Sequence, residues 1–171
     1  GYWQDQRTLV IDPSTKLAPS TRYDLTLSGE LGERTASFKL SFVHQPLVIE
    51  GLVGQADADL MPPDGAIPLA FNQPVIPSDV IARCKLSGPD GVEIPLSSAS
   101  ASPAAQVSLI PARTLAAGET YTIGCANLAG AGGNATLDKA YTLALRARPA
   151  AGVESIEPEG TAVPADEVEL A

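Results

Sequence analysis

Two stretches of this chain share one pattern of apolar and turn residues, with few identities between them. "RTLVIDPSTKLAPSTRYDLTL" begins at Arg7, and "AQVSLIPARTLAAGETYTIGC" begins at Ala105. With Pro13 set against Pro111 and no gap, Ile11 meets Leu109, Leu17 meets Leu115, Ala18 meets Ala116, Tyr23 meets Tyr121 and Leu25 meets Ile123. Further on, "FKLSFVHQP" meets "YTLALRARP" at a slightly longer offset, which pairs Phe38 with Tyr141, Leu40 with Leu143, Phe42 with Leu145 and Pro46 with Pro149. One longer loop within "ANLAGAGGNATLDK" accounts for the difference. A third match sets Gly51 against Gly152, Pro63 against Pro164, Ile67 against Val168 and Leu69 against Leu170. The three matches agree on one order and on a period of about one hundred residues, far longer than a solenoid repeat and the size of a self-sufficient sandwich domain.

This period predicts a tandem array seen through a window. Residues 47–149 form one complete unit, 1–46 the C-terminal half of a preceding unit, and 150–171 the opening of a following one. A first residue that is not Met fits a segment of something longer, so the lack of a leader sequence carries no weight.

Within the complete unit, apolar residues alternate in short runs, as in half-buried strands. "PLVIEGLV", "AIPLAF", "VIARCKLSG", "VEIPLS", "QVSLIP", "ETYTIGCA" and "AYTLALRA" read as seven strands. In the third, Val80, Ala82, Cys84 and Leu86 share one face. "PDG" after it is a turn signal, because Pro presets φ and Gly accepts φ > 0. The β-branched residues of "SDVIARCKL" and the Gly that follows argue against a helix there. Nothing is long enough to be a crossover helix, so the strands are expected to be antiparallel, in a two-sheet Greek-key sandwich. In that fold "LAAGETYTIGC" turns between the fifth and sixth strands. Leu115 sits at the turn, and Tyr121 is placed for a tyrosine corner, its hydroxyl bonded to backbone a few residues upstream. Tyr23 takes the same place in the preceding unit.

Composition removes several classes of function. Lys and Arg number 11 against 20 Asp and Glu, a net charge of -9, which opposes nucleic-acid binding because that rests on neutralising phosphates. No apolar run approaches the ~18 residues that span a bilayer. The many turn residues, 15 Gly and 15 Pro, suit short strands rather than helices.

At this point a family resemblance becomes specific. "PPDGAIPLAFNQPV", "VSLIPARTLAAGETYTI" and "GGNATLDKAYTLAL" resemble the bacterial Ig-like domains of surface-layer and adhesin-type proteins. The matching residues are Phe71, Asn72, Pro74, Val75, Pro111, Leu115, Gly118, Tyr121, Gly133 and Asn134. One departure is that the Asp often found before the Gly-Asn turn is absent from "GAGGN". The resemblance implies all-β tandem Ig-like sandwiches in a secreted or cell-surface protein, extracellular or periplasmic, acting as spacers or adhesive modules. It implies neighbouring Ig-like domains as partners, with a protein or glycan ligand left open.

Chemistry-bearing residues are sparse. His44 is the only histidine, and its repeat counterpart is Ala147, so a junction side chain is favoured over a catalytic base. The complete unit therefore lacks the histidine of a Ser-His-Asp or Cys-His arrangement, and no enzyme activity or cofactor is expected. Asp57, Asp59 and Asp64 supply carboxylates near a junction, where calcium could stiffen tandem modules, but solvated turn acids are the favoured reading. Cys84 and Cys125 share the apolar parity of strands that can be sheet neighbours. A disulfide is favoured over two buried thiols, and either fits the pattern. "NAT" at Asn134 is read as the Gly-Asn turn rather than as a glycan acceptor. The leading expectation is a non-catalytic structural and adhesive module. The alternatives are an accessory module of a large secreted enzyme and a sandwich domain of a macroglobulin-like protease trap.

Overall fold

The structure, a computed structural model, describes residues 1–31, 34–54 and 60–149. In chain order the elements are β1 (Tyr2–Trp3), β2 (Leu9–Val10), β3 (Thr21–Leu31), β4 (Arg34–His44), β5 (Ile49–Leu52), β6 (Ile67–Val75), α1 (Pro77–Arg83), β7 (Cys84–Ser87), β8 (Glu93–Ile94), β9 (Leu96–Ser97), β10 (Ala104–Pro111), β11 (Thr120–Cys125) and β12 (Tyr141–Arg146). From β5 onward they build two four-stranded antiparallel sheets, ordered β5-β6-β10-β9 and β12-β11-β7-β8. The inward positions alternate as the pleat requires: Ile67, Leu69, Phe71, Gln73 and Val75 on β6, and Tyr121, Ile123 and Cys125 on β11. All of these but Gln73 join Leu86, Val107, Leu109, Leu115, Leu128 and Leu145 in one core between the sheets. Each fully buried aliphatic side chain contributes about 1.5–3 kcal/mol relative to exposure.

The order of pairings fixes where the chain enters and leaves this sandwich. Leu47, Val48 and Ile49 lie beside Leu137–Tyr141, at the end where Cys125 pairs with Tyr141. At the opposite end Met61, wholly buried, makes a parallel bridge to Ala147. The Met61 N–H donates to the Arg146 carbonyl at 2.9 Å, and the Arg148 N–H donates to the Met61 carbonyl at 2.7 Å. The chain thus enters at one pole and leaves at the other.

Two local expectations are corrected. The segment read as one strand from Val80 begins as a helix: α1 occupies Pro77–Arg83, and only Cys84–Ser87 is strand. Pro77 starts the helix where its missing N–H costs nothing, and Asp79 lies in the first turn. Pro77 and Val80 are buried, while Ala82 points outward, not toward the core as strand parity had it. Packing of two residues outweighs the weak helix propensity of Val80 and Ile81. The segment "VEIPLS" is also two strands rather than one. β8 pairs with β7 in one sheet and β9 pairs with β10 in the other. Pro95 stands between them, and a strand can change sheets there because proline has no N–H to give to a ladder.

Upstream, β3 and β4 form a long antiparallel hairpin from Thr21↔His44 to Leu31↔Arg34. Its register sets Tyr23 opposite Phe42, Leu25 opposite Leu40 and Leu27 opposite Phe38. In the sandwich, Tyr121 stands opposite Leu145, Ile123 opposite Leu143 and Cys125 opposite Tyr141. These are the residues that the sequence alignment matches one for one. The environments differ. Leu145 is 1% exposed, while Phe38, Leu40 and Phe42 are 58%, 46% and 38% exposed.

Candidate functional site

The residues singled out in the sequence fall into three places. The first is the turn before β11. The Tyr121 hydroxyl accepts the Ala116 N–H at 2.7 Å, and Leu115 is buried beneath it. Gly118, in the same turn, has φ 82°. The Tyr23 hydroxyl likewise accepts the Ala18 N–H at 2.8 Å, and the Tyr23 ring stacks on Phe42 with centroids 5.9 Å apart. Pro111 ends β10, where it is paired with Leu96.

The second place is the entry-pole end of the two inner strands of the β12-β11-β7-β8 sheet. Cys84 and Cys125 face each other across β7 and β11 and are joined by a disulfide, buried among core side chains. Tyr141, opposite Cys125, is partly buried, and that burial pushes its hydroxyl pKa up.

The third place is the junction between hairpin and sandwich, and here sequence reasoning missed the central residue. Ser20 has φ 50°, is fully buried, and is met by the loop of residues 130–135. Its hydroxyl donates to the Ala135 carbonyl at 2.9 Å and accepts the Gly130 N–H at 3.2 Å. Its carbonyl accepts the N–H groups of Asn134 at 3.0 Å and Ala135 at 2.8 Å. Its own N–H donates to the Gln45 carbonyl at 3.1 Å. Every polar atom of Ser20 is therefore satisfied, as burial demands. The Asn134 side-chain oxygen accepts the Arg22 N–H at 2.9 Å, one residue into β3. The turn in this loop runs from Gly130 to Gly133, closed by the Gly133 N–H on the Gly130 carbonyl. Asn134 lies just past it, so the polar side chain expected in the turn serves the junction instead.

β6 supplies the floor. The Asn72 side chain accepts the Val48 N–H at 2.9 Å and donates to the Pro46 carbonyl at 2.9 Å, clamping the connecting segment. Gln73 donates to the Gln45 carbonyl at 3.0 Å, and the Pro74 carbonyl accepts the Ala131 N–H at 2.8 Å. Phe71 is buried and anchors this end of the strand. Ser20 and Gln45, bonded to each other, are two of the three non-glycine residues with positive φ among the described residues. A left-handed conformation costs a residue with a Cβ roughly 1–2 kcal/mol. Such strain persists where surrounding contacts fix it. One signal in the sequence could have found the site: the alignment sets Ser20 against Gly118, a serine at a position whose backbone suits glycine.

The remaining candidates among the described residues stand apart from one another. Asp64 is exposed, and Asp57 and Asp59 lie outside the described residues. Among the described residues, no three His, Cys, Asp or Glu side chains come together as a metal site. His44 is half-buried at the end of β4, opposite Thr21. Asp5 accepts the N–H groups of Arg7 and Thr8, which holds its carboxyl below its usual pKa. No helix of the described residues is long and apolar enough to cross a membrane.

Two open antiparallel sheets facing each other and a tyrosine-pinned turn are the features of an Ig-like β-sandwich. The chain belongs to the bacterial Ig-like domain family, whose sequence model matches residues 43–146, well over half of its length. No match to the chain is found among curated proteins. The family fits a structural module of bacterial surface proteins, and its domains are generally non-catalytic.

Proposed function

We propose that this chain is a spacer segment of a secreted or surface-exposed bacterial protein, built of Ig-like units in line and holding an adhesive or other working part away from the cell. The observation that carries this reading is the polarity of the sandwich. Its chain enters beside Leu47 and leaves beside Ala147 at the opposite end, and the β3–β4 hairpin abuts the entry pole. A module of that geometry extends an array rather than folding it back. The hairpin's register supports the reading that residues 1–46 are the C-terminal half of another such unit. The exposed row of Phe38, Leu40 and Phe42 corresponds to the side that the sandwich covers with β5, β6, β10 and β9. The disulfide supports an oxidising compartment.

The test replaces residues 47–149 of the surface-displayed parent protein with an unrelated Ig-like sandwich of equal length. A spacer predicts that ligand binding or adhesion by the displayed protein survives replacement and falls on deletion. Loss of adhesion on replacement, with display intact, would mean that this unit itself contacts the ligand and is not a spacer.

A further inference from the structure

We propose that the loop of residues 130–135 is a socket for the corner of the preceding unit, and that Ser20 seated in it makes hairpin and sandwich one rigid body. This deepens the reading above and rests on it, since it assigns the preceding unit as the socket's occupant. Three observations carry it.

First, the fit is specific at atomic level. Four hydrogen bonds from residues 130–135 converge on the hydroxyl and carbonyl of the single residue Ser20. A Cβ on Gly133 would run into the Ser20 carbonyl, and one on Gly130 would lie 2.9 Å from both the Ser20 Cβ and the Gln73 side-chain oxygen. Both glycines are therefore needed for close approach of another unit, quite apart from any turn. Second, the socket belongs to the sandwich and not to the hairpin. β3 and β4 run on to a short connection between Leu31 and Arg34, whereas β11 stops at Cys125 and the chain to Tyr141 builds the socket. Third, the occupant is shaped for it. Ser20 holds a positive φ that Gly118 adopts freely at the matching place, and a glycine there offers no hydroxyl. A serine in that conformation gains a donor and an acceptor that the socket uses at once. Asn134 adds a cap on the first strand of the visitor through the Arg22 N–H. The joint is therefore keyed, and not a flexible tether of the kind that Gly- and Ser-rich linkers make.

The test uses the full chain in solution, with amide hydrogen exchange and ¹⁵N relaxation measured residue by residue. The expected result is one rotational correlation time for β3–β4 and the sandwich, with slow exchange at Gly130, Asn134, Ala135 and Arg22. Ser20→Gly keeps the backbone conformation and removes the hydroxyl. It should speed exchange at Gly130, whose N–H loses its acceptor, by ~tenfold or more, while Ala135, whose N–H keeps the carbonyl of residue 20, and the β6 and β11 amides change little. Gly133→Ala should uncouple the two correlation times with the sandwich still folded. Separate correlation times in the wild-type chain, or exchange at Gly130 indifferent to Ser20→Gly, would overturn the proposal. The replacement assay reads adhesion and not the joint, so each reading can fail while the other stands.

Discussion

Tyr23 and Tyr121 make the same bond. Each hydroxyl accepts the N–H of the alanine five residues before it, at 2.8 Å from Ala18 and 2.7 Å from Ala116. The surroundings differ, since Tyr121 is 4% exposed in the core and Tyr23 is only half-buried on the hairpin. Tyr121→Phe keeps the ring and leaves the Ala116 N–H without this partner. It should lower the stability of the sandwich by about 1–2 kcal/mol in urea unfolding. Tyr23→Phe should cost the sandwich less than about 0.5 kcal/mol, in line with substitutions away from its core. Equal losses from the two variants would show that hairpin and sandwich unfold as one cooperative unit.

The two tyrosines illustrate what is legible in a sequence like this. Strands of the sandwich announce themselves because a half-buried strand must alternate, and Ile67, Leu69 and Phe71 do so without interruption. Parity sets Cys84 and Cys125 on the apolar faces of their strands, and the strand order of a sandwich allows those strands to be neighbours. The helix α1 could not be seen, because seven residues hold too few turns to show a period and Val80 and Ile81 point the other way by propensity. The switch of sheets at Pro95 depends on where two sheets happen to lie. The junction is the least legible part. Ser20 and Ala135 are separated by 115 residues, and no local pattern reports a contact of that span. Asn72, Gly133 and Asn134 are visible as motif residues, but the bonds of Asn72 to the connecting segment and of Asn134 to Ser20, and the close approach of Gly133 to Ser20, are tertiary facts.

The Cys84–Cys125 bridge ties the start of β7 to the end of β11, the two inner strands of one sheet, with 41 residues of sequence separation. Such a cross-link chiefly restricts the unfolded chain, and a loop of this length is worth about 2–4 kcal/mol. Intact mass of the untreated protein should lie two hydrogens below that of the reduced protein. The Cys84→Ala/Cys125→Ala variant should fold to the same sandwich with its urea midpoint lowered by that amount of stability. Reductant should shift the wild-type midpoint toward that of the variant and leave the variant's own midpoint in place.

Gly118 holds φ 82° with open space where a Cβ would project. Substitution there meets no steric obstacle beyond the backbone conformation itself. Gly118→Ala should therefore destabilise the sandwich by about 1 kcal/mol, and Gly118→Asn by less, because Asn tolerates the left-handed region better. A thermal melting series of the three proteins should rank Gly, Asn, Ala in falling midpoint. Ala above Gly would mean that the turn relaxes to another conformation.

Phe42 and Leu145 occupy matching places in the two hairpins, opposite Tyr23 and Tyr121. Leu145 is buried between two sheets, whereas Phe42 is 38% exposed. Leu145→Ala should cost about 2–5 kcal/mol, the transfer energy of the lost methyl groups plus the cavity they leave. Phe42→Ala should leave the sandwich's urea midpoint nearly unchanged, since the ring belongs to the hairpin and not to that core. The contrast becomes sharper in a longer chain that supplies an opposing sheet to the hairpin. There Phe42→Ala should approach the cost of Leu145→Ala, about 3–5 kcal/mol for a buried aromatic ring. If the cost stays small in the longer chain, the exposed row of Phe38, Leu40 and Phe42 is not the inner face of an Ig-like unit, and the array reading of residues 1–46 fails.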